Sequence, residues 1–171
     1  MGPTSSNPIK ALLFDLGGVV IDINFNKAFS RWAEYSNRSL EEIQGKFRFD
    51  SFYEAHERGE IDSSGYFDAL RKTLEIDISD QQFEDGWNSI FNGEIPGIAD
   101  LLESAGKRSP IYAFSNSNPL HKKVWSQKYS VVLSLFKEVF TSSDLGKRKP
   151  EADAFQKVGS SMGVALAQIA F

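Results

Sequence analysis

The chain has 171 residues, of which 41% are hydrophobic and 25% charged, and its 19 basic and 23 acidic side chains leave a formal charge of −4. That length suits one ordinary domain or a core with a small insertion, and the 14 Phe, 5 Tyr and 3 Trp supply enough apolar bulk to exclude intrinsic disorder. An acidic balance speaks against a nucleic-acid partner, the absence of any apolar run near 20 residues excludes a membrane-spanning helix, and zero Cys removes disulfides and thiol chemistry while fitting a reducing, cytoplasmic compartment.

Residues 1–8 are polar and turn-rich and read as a flexible leader. Structure is expected to begin at Ile9-Lys-Ala-Leu-Leu-Phe14, an apolar run halted by Asp15-Leu-Gly-Gly18 and resumed at Val19-Val-Ile21. Such a run reads as a strand buried on both faces that delivers Asp15 at its carboxyl end, the edge where ligands bind in open parallel sheets.

From about Asn24 to Asn92 the period becomes helical. Phe25, Ala28, Phe29 and Trp32 share a face; Ser39 with Glu42 forms a capping box; Ser79-Asp-Gln-Gln82 opens a further helix bearing Phe83, Trp87 and Ile90. This stretch reads as a helical insertion without a strand, its aromatic stripe serving as core. The α/β rhythm then returns. Pro96 stands near a helix start and Pro110-Ile-Tyr-Ala-Phe114 is a strand ending in Ser115-Asn116. A helical stretch around Val124–Leu135 follows, then a strand at Glu138-Val-Phe140, a helix from Pro150 to about Met162 closed by Gly163, and the beginning of a strand at Gln168–Phe171. The fold class expected is α/β, a Rossmann-like parallel sheet with helices on both faces.

Right-handed crossovers bring the ends of the strands to one edge, gathering Asp15, Ser115-Asn116 and Lys149. A carboxylate, a hydroxyl and an ammonium together suit phosphoryl transfer. Asp15 attacks phosphorus, backbone at Gly17 and Gly18 approaches the phosphate, Ser115 and Asn116 offer neutral donors, and Lys149 offsets growing negative charge. Taken singly each cluster has a plainer reading: Asp-x-Gly-Gly as a turn, Ser-Asn as a cap, and Lys147-Arg-Lys149 as a solvated patch. However, three cations just before a helix start call for a nearby anion.

In order and spacing, Phe14-Asp15-Leu-Gly-Gly-Val-Val20, Phe114-Ser115-Asn116 and Gly146-Lys-Arg-Lys149-Pro150 resemble the first three motifs of the haloacid dehalogenase superfamily. More narrowly, Asp22–Asn26, His56-Glu-Arg-Gly-Glu60, Phe83–Trp87 and Ser115–His121 are similar to stretches of bacterial α-D-glucose-1-phosphate phosphatases. The resemblance implies a core from residues 9–22 and 96–171, with residues 23–95 as a helical cap over the site. It implies a Mg²⁺-dependent phosphatase acting on a small phosphorylated metabolite such as a sugar phosphate, with no nucleic-acid or membrane partner. Asp15 would be the nucleophile, and its carboxylate and the Gly17 carbonyl would ligate Mg²⁺. Gly18, Ser115, Asn116 and Lys149 would hold phosphate, and His56 and Arg58 in the cap would meet substrate; His121 reads as structural.

Two departures accompany the resemblance. A second Asp commonly follows the nucleophile by two residues as general acid; here Gly17 stands in that place, so the proton must come from elsewhere. The family's acidic pair would come just after Phe171, and the core is expected to be incomplete at this end. Two alternatives follow: a catalytically impaired ligand-binding protein, and a 2-haloacid dehalogenase.

Overall fold

In the computed structural model, which describes residues 8–171, strand β1 (Ala11–Phe14) runs through the middle of the molecule with Ala11 and Leu13 fully covered. The leader expected at the amino terminus falls, apart from Pro8, outside the described residues. β1 pairs in parallel with β4 (Ile111–Ser115) on one side and with β6 (Ile169–Ala170) on the other, and β4 pairs in parallel with β5 (Val139–Thr141). The sheet order is therefore β5-β4-β1-β6. Alternating β and α segments force this parallel arrangement, because each return crossover needs a helix. In register, Phe14 faces Ala113 and Ser115 faces Thr141, so Asp15, Asn116 and Ser142 all leave the sheet at one edge.

Helices α1 (Phe25–Ser36), α2 (Leu40–Lys46), α3 (Ser51–Glu57), α4 (Ser63–Leu74) and α5 (Asp80–Asn88) fill the segment after β1. The Ser39/Glu42 and Ser79/Gln82 capping boxes form as the sequence leads one to expect. An aromatic cluster holds these helices together: Trp32 and Trp87 stack with ring centroids 5.7 Å apart, and Trp32 Nε1 donates to the Phe83 carbonyl at 3.1 Å. A Cβ added at Gly86 would overlap the Trp32 indole, so α5 carries glycine where it crosses α1.

Three readings need correction. The insertion does contain a strand: β3 (Phe91–Glu94) pairs antiparallel with β2 (Ile21–Ile23), a ladder too short to show period-two alternation. The stretch 124–135 breaks at Tyr129, whose φ of −115° and ψ of 25° leave the helical region, giving α7 (Pro119–Lys128) and α8 (Ser130–Leu133). A one-turn helix, α9 (Ser142–Leu145), also follows β5 unannounced, capped by the Thr141 hydroxyl. The remaining elements are α6 (Ile98–Gly106), α10 (Ala152–Met162), the latter closed by Gly163 at φ 66°, and a 3₁₀ turn (Leu166–Gln168) that leads into β6. No helix among the described residues is long and apolar enough to cross a membrane.

Candidate active site

The carboxyl-terminal edge of the sheet and helix α3 enclose a cavity of about 210 Å³. Asp15, delivered by β1, lines it with Gly17; Ser115 and Asn116 enter from the end of β4; Lys149 enters from the loop before α10. Lys149 Nζ lies 2.6 Å from Asp15 Oδ2 and donates to the Phe114 carbonyl at 2.7 Å. Asp15 Oδ1 accepts the Leu16 N–H at 2.7 Å. Burial pulls the Lys149 ammonium below its ordinary range, and the Asp15 carboxylate works against that pull. The Lys149 side chain is 12% exposed and that of Asp15 36%, so the carboxylate opens to the cavity while the amine is enclosed.

Asn116 lines the cavity, and its amide also holds the loop that carries Lys149. Its Oδ1 accepts from the Lys149 N–H at 2.8 Å and its Nδ2 donates to the Lys149 carbonyl at 2.9 Å. Both polar atoms of the side chain thus hold the loop that carries the lysine, and Nδ2 keeps a second hydrogen. Ser115 is 6% exposed and makes one long hydrogen bond, to the Asn116 carbonyl at 3.4 Å, which leaves its hydroxyl available to a ligand.

Three of the residues expected at the site stand outside the cavity lining. Gly18, at φ 77°, spends its N–H on the Ile21 carbonyl at 2.8 Å, closing the turn that leads to β2. His56 is fully buried between α3 and α4, stacked on Tyr66 at 4.5 Å with Nε2 3.2 Å from the Ser63 hydroxyl. Burial lowers its pKa to about 4, so it is neutral at ordinary pH. Arg58 turns to Glu60 at 2.9 Å and Glu151 at 3.0 Å, joining the end of α3 to the residue that precedes α10. Position in a turn or near a helix end cannot by itself say which way a side chain turns.

The cavity instead recruits residues that the spacing left unmarked. Tyr53 and Glu57, four apart on α3, both line it, as do Asn118 and Trp125 on the α7 side. Glu57 is 5% exposed, with Arg148 Nε 2.7 Å from its Oε2, while Arg148 Nη1 also reaches Glu54 at 3.1 Å. Burial raises the Glu57 carboxyl above the ordinary range, outweighing the opposing pull of Arg148, Tyr53 and Lys149. The sequence signal was present in the i, i+4 pair. His121 lines the cavity too, yet its Nε2 is 2.9 Å from the Trp87 carbonyl and burial lowers its pKa to about 3. Beneath these groups the buried Ser142 hydroxyl accepts the Ser117 N–H at 2.9 Å. The same oxygen lies 2.6 Å from the Glu57 carbonyl and 3.1 Å from that of Ser117.

Two oxygens of this chain, the Asp15 carboxylate and the Gly17 carbonyl, belong to residues that line the cavity and suit a hard divalent cation that keeps waters in its shell. Among the described residues no group of three or more His, Asp or Glu converges to complete a cation cage.

A family model described as haloacid dehalogenase-like hydrolase matches residues 9–171. D-ribitol-5-phosphate phosphatase of Bacteroides thetaiotaomicron is 21% identical over 152 residues, covering 86% of this chain and 74% of the relative. The crystal structure of a HAD family enzyme from the same organism, in complex with magnesium and inorganic phosphate, superimposes with a TM-score of 0.78 at 27% identity, covering 94% of this chain and 82% of the other. The L-2-haloacid dehalogenase of Xanthobacter autotrophicus matches with a TM-score of 0.65 at 21% identity, over 94% of this chain and 68% of that one, a likeness of fold.

Proposed function

Because the chain belongs to the haloacid dehalogenase-like hydrolases, we propose that it hydrolyses small phosphate monoesters, with Asp15 as nucleophile. The observation that carries this reading is the contact of Lys149 Nζ with Asp15 Oδ2, 2.6 Å, in a cavity that Ser115 and Asn116 also line. A carboxylate so held attacks phosphorus to give an aspartyl phosphate, which water then cleaves to restore the acid. Lys149 steadies both the attacking oxygen and the negative charge on the phosphoryl group, and the Ser115 hydroxyl donates to one of its oxygens. Asn116 acts by fixing the lysine loop. The Mg²⁺ assigned to Asp15 and Gly17 would, when bound, neutralise phosphate charge. Two relatives support this chemistry: one named for a sugar-alcohol phosphate, one crystallised with magnesium and phosphate.

The leaving group in this reading is a sugar or sugar alcohol. A cavity of about 210 Å³ whose apolar walls also carry Tyr53, Asn118 and Glu57 offers polar partners to the hydroxyls of such a group. The test is phosphate release from glucose 1-phosphate, ribitol 5-phosphate and an aryl phosphate, with Mg²⁺ and with chelator. Turnover that needs the metal and disappears in Asp15→Asn is the expected result; no release from any ester with Mg²⁺ present overturns the reading.

A further inference from the structure

Five titratable side chains line the cavity: Asp15, Tyr53, Glu57, His121 and Lys149. In the phosphatase reading Asp15 is the nucleophile and Lys149 is bound to it. The ester oxygen that departs still needs a proton, and Gly17 has no side chain to give one. His121 is already neutral, with Nε2 against the Trp87 carbonyl, and Tyr53 is held well above an ordinary phenol by burial and by Glu57. Neither is a ready donor near neutral pH.

We infer that Glu57, reaching into the cavity from the end of α3, is the acid that protonates the leaving oxygen, an inference that rests on the phosphatase reading. Its position supports the role from three sides. It is buried, so water does not compete for its proton. Arg148 holds Oε2 at 2.7 Å and so fixes the plane of the carboxyl group. Arg148 keeps Glu54 at 3.1 Å as a second partner, so the guanidinium stays paired whether Glu57 is charged or neutral. The charged and titratable groups facing Glu57 are Tyr53 on its own helix and Arg148 and Lys149 from the core. Burial outweighs all three and keeps the carboxyl protonated to higher pH than an ordinary glutamic acid.

The step balances. Asp15 forms a bond to phosphorus as the bond to the ester oxygen breaks, and the Glu57 proton passes to that oxygen, releasing an alcohol. The resulting Glu57 carboxylate then takes a proton from the water that attacks the aspartyl phosphate, releasing inorganic phosphate and restoring both acids. Because Glu57 belongs to the cap and Asp15 to the core, the acid and the nucleophile are carried by different parts of the fold.

A donor to the leaving group matters most where the alcohol is a poor leaving group. In Glu57→Gln, kcat for an alkyl phosphate such as ribitol 5-phosphate is expected to fall by roughly 10²–10⁴-fold. The fall with p-nitrophenyl phosphate should stay below about tenfold, and the alkaline limb of the alkyl-ester pH profile should disappear. Equal losses on both esters, or none on the alkyl ester, overturn the assignment. Should the variant fold poorly, the unaltered protein answers the same question through esters of graded leaving-group pKa. A shallow dependence of kcat/KM supports Glu57 and a steep one overturns it. Aryl-phosphate turnover lost in Asp15→Asn separates this test from that of the phosphatase reading, and a protein that cleaves neither ester overturns both.

Discussion

Asn116 and the main chain of Lys149 bond reciprocally, Oδ1 to N–H at 2.8 Å and Nδ2 to the carbonyl at 2.9 Å. The amide imitates one rung of a β-ladder and so sets where the lysine side chain begins. Asn116→Ala removes both bonds and frees the loop, which should lower kcat by about 10²-fold through misplacement alone. It should also cost about 1–3 kcal/mol of stability. Steady-state kinetics and a thermal melt check both numbers; an unchanged kcat would show that Lys149 is placed by something else.

Lys149→Met keeps the length of the stem and removes the charge. Turnover should drop by about 10²–10³-fold, as for the loss of one donor aimed at developing charge. Affinity for inorganic phosphate, measured by calorimetry, should fall with it. Phosphate binding that survives the substitution would separate the amine from the anion.

Gly86 faces the Trp32 indole with no room for a methyl group. Gly86→Ala should therefore destabilise the fold by about 1–3 kcal/mol, because the stacked Trp32–Trp87 pair between α1 and α5 must shift. Chemical denaturation checks this, and no change in midpoint would mean that the indole yields freely.

The two histidines predict an acid-sensitive fold. Burial lowers His121 to about 3 and His56 to about 4, whereas in the unfolded chain both take a proton near 6.5. Between those limits the unfolded state binds more protons, so stability is full above about pH 6.5 and falls as the pH drops. The slope should be roughly 1.4 kcal/mol per pH unit for each imidazole. Urea unfolding between pH 5 and 6.5 measures the slope, and His56→Gln or His121→Gln should each remove one share of it. A slope indifferent to both substitutions would refute the assignment.

How much of this was legible beforehand depended on the range of each signal. Buried parallel strands announce themselves as unbroken apolar runs, so β1 and β4, and with them Asp15 and Ser115, were readable. Capping is equally local, and the boxes at Ser39 and Ser79 formed where expected. β3 was missed because four residues containing Gly93 carry too little pattern, and its identity comes from pairing with β2. The same limit governs the site. His-Glu-Arg at 56–58 marks a place near the cavity, but helical rotation decides which of the three enters. The structure turns His56 onto Tyr66 of α4, Arg58 to Glu151, and Glu57 into the cavity.

The Ser142 hydroxyl carries a single hydrogen yet sits between two carbonyls, that of Glu57 at 2.6 Å and that of Ser117 at 3.1 Å. It can satisfy one of them at a time. Should the end of α3 lift away, the hydrogen rotates to Ser117 and no donor is orphaned in the interior. The fastening between the two halves of the pocket therefore behaves as a swivel rather than a rivet. Undoing it leaves the hydroxyl with the same number of bonds that it had before.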